Sequence, residues 1–229
     1  MLRRDDRDDH ARLIMEHGKA NVLDTEFLLA YTAALEAAER DAVPALVLTG
    51  TGRIFSAGVA LDRVLDGGAE YLEGFLPALD EALSRTFGFR RPLVAAINGH
   101  AIAGGCLLAL AADRRILVKG SRMGVPELRV GVPFPVPALE ILRHGIVPSA
   151  LSEVVFGGET FRDEEAIRRG FGDTLVEAED LDEAAAAAAT ELASIPATSF
   201  ELTKAGLRAS AARTIADEEV RTGADIRRA

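Results

Sequence analysis

The chain has 229 residues, 48% of them hydrophobic, enough for one substantial core or one core with a small appendage. Its formal net charge of −10 argues against nucleic acid or an anionic membrane surface as the main partner, though a local patch can still hold an anionic ligand. A single cysteine, Cys106, excludes an internal disulfide and any multi-cysteine zinc site, and no apolar run nears the ~20 residues of a membrane span.

Residues 1–9 are charged and lack apolar periodicity, so a frayed terminus is expected. Residues 12–15 read as a short strand. A helix begins at Asp24 or Thr25, either of which can cap it, and Phe27, Leu28, Tyr31, Leu35 and Ala38 recur at helical spacing. Residues 45–49 form a buried strand. Residues 61–87 read as helical pieces interrupted by Gly67-Gly68 and by Pro77. Further strands are expected at 93–97, 115–118 and 174–176, with helices at 106–112, 137–143, 149–156 and 162–169. This alternation implies an α/β layer fold with mainly parallel pairing. From Leu181 the pattern turns to helices only, at 181–195, 200–209 and 214–227, the first with an alanine run at 184–189. The organisation expected is an α/β core over 1–180 and a helical region over 181–229. No basic-then-apolar leader precedes the core, and the four histidines show no i,i+4 pairing, so a cytoplasmic protein without a metal site is expected.

Two glycine turns carry the strongest functional signal. Phe55-Ser56-Ala57-Gly58-Val59 follows the strand at 45–49, and Ala103-Gly104-Gly105-Cys106-Leu107 follows the strand at 93–97 and opens a helix. Glycines there let backbone N–H groups turn toward a ligand, and a helix N-terminus adds its dipole. Two such turns are what an oxyanion hole for a carbonyl oxygen requires.

The segments TGRIFSAG, INGHAIAGGC, Pro126-Glu127 followed by Gly131, and residues 166–172 ahead of a strand together resemble the crotonase (enoyl-CoA hydratase/isomerase) superfamily, collinearly over residues 12–209. The resemblance implies an α/β, crotonase-like ββα spiral core, a C-terminal helical trimerisation region, an acyl-CoA thioester as substrate and a homotrimer or hexamer as the assembly. It brings no cofactor besides the coenzyme A of the substrate. Two departures stand out at the ends, where most of the first strand is missing and the chain stops soon after Ile226.

By the same resemblance, the oxyanion donors are the backbone N–H groups of Val59 and Gly104, and Glu127 is the catalytic acid/base. Taken alone, a glutamate after a proline is an ordinary exposed residue. The family register gives it a role, and neighbours Val125, Leu128 and Val130 are expected to desolvate it and raise its pKa. Hydratases of the superfamily carry a second glutamate where this chain has Leu107, and leucine cannot hold a water. Delta isomerases share that leucine. Moving a double bond needs one base and no water, so the reading is an isomerase converting 3-enoyl-CoA to 2-enoyl-CoA. The alternatives are a hydratase or other crotonase reaction, such as thioester hydrolysis, with a substitute partner, and a weakly active acyl-CoA-binding protein. Arg53, Ala57, Gly58, Leu61, Gly105, Leu107, Pro126 and Phe134 are expected to line the substrate site. Arg53 and Arg63 are candidates for the CoA phosphates or simply solvated arginines, and Ala60 replaces a family aspartate. Residues 132–136 are expected along the acyl pocket. His100 is expected to be a core histidine, Cys106 a small buried residue, and Glu140 a helix residue without catalytic part.

Overall fold

The computed structural model describes residues 1–226, with side chains through Asp217. Strands β1 (Leu2–Asp6), β2 (Ala11–Met15) and β3 (Val22–Leu23) lead to helix α1 (Thr25–Arg40), followed by β4 (Leu46–Gly50), β5 (Ile54–Ser56), β6 (Gly58–Val59) and α2 (Leu61–Gly88). Next come β7 (Leu93–Ile97), β8 (His100–Ile102), α3 (Gly104–Leu110), β9 (Arg114–Val118), β10 (Arg122–Gly124), a 3-10 turn at Glu127–Val130, α4 (Val136–Gly145) and α5 (Leu151–Gly157). The chain continues through β11 (Thr160–Arg162), α6 (Asp163–Arg169), β12 (Thr174–Val176), α7 (Leu181–Ala193) and α8 (Ala197–Ile226). Residue 227, assigned to the last helix from sequence, lies outside the described residues.

Six strands form the main sheet in the order β1-β2-β4-β7-β9-β12, parallel except for β1. Its central strands β4 and β7 are buried throughout, because alternate residues enter two different cores. Leu46, Leu48, Leu93, Ala95 and Ile97 face the larger core with α1, α2 and α3. Val47, Val94, Ala96 and Ile116 face the other side, where Leu181, Ala185, Ala188 and Ala189 of α7 cover them. The alanine run therefore serves a purpose: small side chains let α7 lie against the sheet.

Several sequence expectations need correction. Residues 2–6 are not frayed: β1 pairs antiparallel with β2 from Leu2↔Met15 to Asp6↔Ala11, so a first strand is present. Its charges reflect an edge position, where Arg3 pairs with Glu16 and Arg4 with Asp41, and charged edges deter further strand addition. The interruption expected at Gly67-Gly68 is present, since Gly68 takes a non-helical φ of +54° and two helical pieces meet there across a kink, but Pro77 does not break α2, which runs on through it. Likewise α8 is one helix, not two; the intervening Ser210-Ala211-Ala212 has nothing that breaks it. Helix α3 starts at Gly104, two residues before expectation.

Helix α8 is held to the core by a buried charge cluster. Lys204 donates to Asp113 (2.6 Å) and to the Arg91 carbonyl (3.2 Å). Arg208 donates to Asp113 (2.9 Å) and to the Phe87 carbonyl, and its guanidinium stacks on the Phe87 ring. Burial pulls the Lys204 ammonium down to about 8 despite the adjacent Asp113 carboxylate. Among the described residues, no helix is long and apolar enough to cross a membrane.

Candidate active site

A second sheet, in the order β11-β10-β8-β5, sets the geometry of the site. Its strands β5, β8 and β10 run parallel, with Ser56 and Met123 both paired to Ala101. Parallel neighbours end on the same side, so three chain segments emerge together: 57–59 after β5, 103–104 after β8 and 125–127 after β10. Those segments contain Val59, Gly104 and Glu127, which lie up to 68 positions apart in the sequence.

The first two segments interlock through missing side chains. A Cβ on Gly58 would lie 2.7 Å from the Ile102 carbonyl oxygen and 3.1 Å from the Gly104 nitrogen, and one on Gly105 would lie 2.5 Å from the Ser56 Cβ. Gly58 also takes φ +84°, open to glycine at little cost. Ala103 is the exception. It holds φ +52° with a side chain present, a strained arrangement costing about 1–3 kcal/mol that sets the direction of the peptide leading into α3. Gly104 is the first residue of α3, so its N–H is one of the four without an intrahelical partner. In the β3–β6 pair the Ala60 N–H donates to the Leu23 carbonyl (3.1 Å). Successive N–H groups alternate sides along a strand, so the Val59 N–H faces away from β3.

Glu127 opens the 3-10 turn after Pro126. Its Oε2 is buried with no hydrogen-bond partner among the described residues. Burial drives its pKa up to about 7, with its own backbone N–H opposing the rise. The neighbours named from sequence account for only part of this: Val125 is fully buried, but Leu128 is 37% and Val130 63% exposed. The burial comes from the packed segments around it, because a 3-10 turn carries Leu128 and Val130 off to solvent while Glu127 points inward. Next to it, the Cys106 thiol is pushed far above its usual range, first by burial and then by the Glu127 charge. Cys106 is therefore an inert core thiol. Leu107 is 3% exposed and belongs to the main apolar cluster. A carboxyl near neutrality, on a segment that leaves the small sheet on the same side as the two glycine turns, is a candidate to take and return a proton next to a carbonyl.

The other residues singled out from sequence fall in different places. Ala57 is exposed, with its N–H bonded to the Ala20 carbonyl (2.9 Å). Leu61 begins α2 and is 50% exposed, and Phe134 packs partly buried on the main core. Arg53 is exposed at the opening of β5, at the far end of that strand from Gly58 and Val59. Arg63 is not a free cation: it pairs with Glu26 (2.7 Å) and lies over the Tyr71 ring. Ala60 is buried. Glu140 is buried and ion-paired to Arg143 on α4. His100 is exposed, not in the core. It starts a strand whose next residue, Ala101, is the buried one, and its Nδ1 accepts from the Arg122 N–H (3.1 Å). Two buried residues with no role read from sequence, Asn21 and Ser56, support the first turn. Asn21 Nδ2 donates to the Ile54 and Phe55 carbonyls, and Ser56 Oγ bridges the Asn21 carbonyl and the Gly58 N–H. For Ser56 the signal was a polar side chain inside the Phe55-Ser56-Ala57-Gly58 turn.

Residues 12–224 match the family model described as enoyl-CoA hydratase/isomerase. The chain is 32% identical over 204 residues to the human mitochondrial enoyl-CoA delta isomerase 1, covering 87% of this chain and 68% of that protein. It is 33% identical over 175 residues to a probable enoyl-CoA hydratase, EchA17, of Mycobacterium tuberculosis, covering 76% and 67%. Among solved structures, that of human mitochondrial delta3-delta2-enoyl-CoA isomerase superposes with a TM-score of 0.91 at 28% identity, covering 95% of this chain and 87% of that one.

Proposed function

The chain belongs to the enoyl-CoA hydratase/isomerase family, an enzyme family of the crotonase fold, and from that premise we propose that it shifts the double bond of 3-enoyl-CoA to give 2-enoyl-CoA. Relatives bearing either name are similar at about the same identity, so the choice between reactions rests on the site itself. The observation that carries it is a partly buried, near-neutral carboxyl, Glu127, with its Oε2 out of solvent and the apolar Leu107 where hydratases place a second acid. Glu127 takes a proton from the α-carbon of the thioester. The electron pair moves into the conjugated system, and the resulting dienolate oxygen accepts hydrogen bonds from the Val59 and Gly104 N–H groups. The same carboxyl returns the proton to the γ-carbon, leaving the double bond between the α- and β-carbons. Each oxyanion donor is worth about 3 kcal/mol in such a step.

Gly58 and Gly105 keep the two turns close enough to share one oxygen, and Pro126 orients Glu127. Ala57, Leu61 and Phe134 line the path of the thioester, and Arg53 is a candidate for the CoA phosphates. Hydration would need a group to hold the attacking water, and Glu140, the substitute nearest in sequence, is engaged by Arg143. The helical region supports assembly as a homotrimer, because Leu202 and Leu207 stand 68% and 74% exposed on α8. The decisive experiment is turnover of matched 3-enoyl- and 2-enoyl-CoA substrates. Isomerisation without net hydration supports the reading, and hydration of 2-enoyl-CoA as the faster reaction overturns it.

A further inference from the structure

We propose that Ser56, which reaches no reacting atom, is the positioning residue that aims the Val59 N–H at the thioester oxygen; the inference rests on the thioester reading above. Ser56 has no solvent exposure, and its hydroxyl is spoken for on both sides. A carbonyl can only accept, so the bond to the Asn21 carbonyl at 2.7 Å uses the one hydroxyl proton. That leaves an oxygen lone pair facing the Gly58 N–H at 3.1 Å. The Gly58 N–H is thereby drawn inward. At Gly58 the chain reverses through φ +84°, and the next peptide, which carries the Val59 N–H, turns the other way.

The second turn is tied to the same side chain. Helix α3 passes so close that a Cβ on Gly105 would lie 2.6 Å from the Ser56 Oγ, so α3, which presents the Gly104 N–H, packs directly on Ser56. Asn21, the other member of the pair, is itself fixed. It holds φ +48°, its Oδ1 accepts from the His17 N–H (2.8 Å), and its Nδ2 grips the Ile54 and Phe55 carbonyls. One hydroxyl thus joins the β3 entry, the oxyanion turn and the α3 N-terminus. Loss of that oxygen leaves the Gly58 N–H buried and unpaired, and the peptide after it loses its fixed direction.

The test is the carbonyl stretch of an acyl-CoA bound to the wild type and to Ser56→Ala, measured by infrared difference spectroscopy beside steady-state kinetics on 3-enoyl-CoA. Polarisation by two N–H donors lowers the carbonyl frequency in the wild type. Ser56→Ala is expected to lose about half of that displacement and to lower kcat roughly 10- to 100-fold, less than deleting a donor outright, with KM changed less than about threefold. Ser56→Cys, which keeps a weaker donor and acceptor, should recover part of both, and it provides the measurement if the alanine variant does not fold. Thr49→Val removes another buried hydroxyl, bonded to the Ala96 carbonyl in the main sheet, and should lower stability while leaving the carbonyl band unmoved. A full displacement with unchanged kcat in Ser56→Ala, or an equal loss in Thr49→Val, overturns the proposal. Absence of any displacement in the wild type instead overturns the thioester reading beneath it.

Discussion

Replacing Glu127 by glutamine should slow the enzyme and, as pH rises, stabilise it relative to the wild type. The raised pKa decides both signs. A carboxyl at about 7 in the folded chain, against the 4.5 of a free glutamate, binds its proton more tightly when folded. Its contribution to stability is therefore fully present below about pH 4.5 and is lost as pH climbs through about 7, the reverse of a salt-bridged carboxylate. Between pH 5 and pH 8 the loss comes to about 2.5 kcal/mol. Glutamine does not titrate, so the wild-type-minus-variant difference should change by that amount, or roughly 5–10 °C in Tm for a chain of this size. Any fixed cost of burying the amide cancels in the comparison between the two pH values. In kinetics, kcat/KM for 3-enoyl-CoA should rise with pH and level off above about 7, because the base must be ionised to accept the α-proton. The glutamine variant should lose about two to four orders of magnitude while still binding CoA thioesters through the backbone donors. Parallel thermal melts and pH–rate profiles measure both. A bend near 4.5, a constant stability difference from pH 5 to 8, or glutamine turnover at the wild-type rate would refute the reasoning.

Other substitutions probe the neighbouring parts. Leu107→Glu should introduce slow water addition to 2-enoyl-CoA, measured by loss of enoyl absorbance, and should lower stability by several kcal/mol because position 107 is only 3% exposed among apolar groups. Ala103→Gly should stabilise the fold by about 1 kcal/mol in denaturant titration, since relief of the φ +52° strain outweighs the entropy cost of glycine. An unchanged or lower midpoint would mean the turn is not strained in solution. The wild type should scatter light as three copies of the 24.3 kDa chain, and the double change of Leu202 and Leu207 to glutamate should reduce that mass. A wild-type monomer at micromolar concentration would remove the homotrimer from the proposal.

Much of the main sheet was legible because its information is local. Strands at 93–97 and 174–176 stand where the apolar and β-branched runs put them, and α1 is capped by Asp24, whose carboxylate accepts from the Phe27 N–H (2.8 Å). The small sheet was not legible. Its strands are three residues each, too short for any periodicity, and they exist only because neighbouring segments supply their hydrogen bonds. The charged edge strand β1 of the main sheet was hidden for a related reason: a strand with Arg3, Arg4, Asp5 and Asp6 is stabilised by pairing with β2, not by its own apolar content.

The sequence by itself determined which residue types are available: a proline-held glutamate at 127, a leucine at 107, and two glycine turns in the order of one enzyme family. Spacing along a chain says nothing about which backbone groups face one another across a gap, so it left the environment of those residues open. The packing of segments distant in sequence decided that Gly58 and Gly104 lie within contact of each other, that Glu127 has one carboxylate oxygen out of solvent while Leu128 and Val130 stay exposed, and that a buried serine hydroxyl ties the first turn to Asn21. Those properties arise from parallel strands ending side by side and from close packing between segments distant in sequence. Burial, which sets the proton affinity of Glu127, is a property of the packed neighbourhood and not of the glutamate.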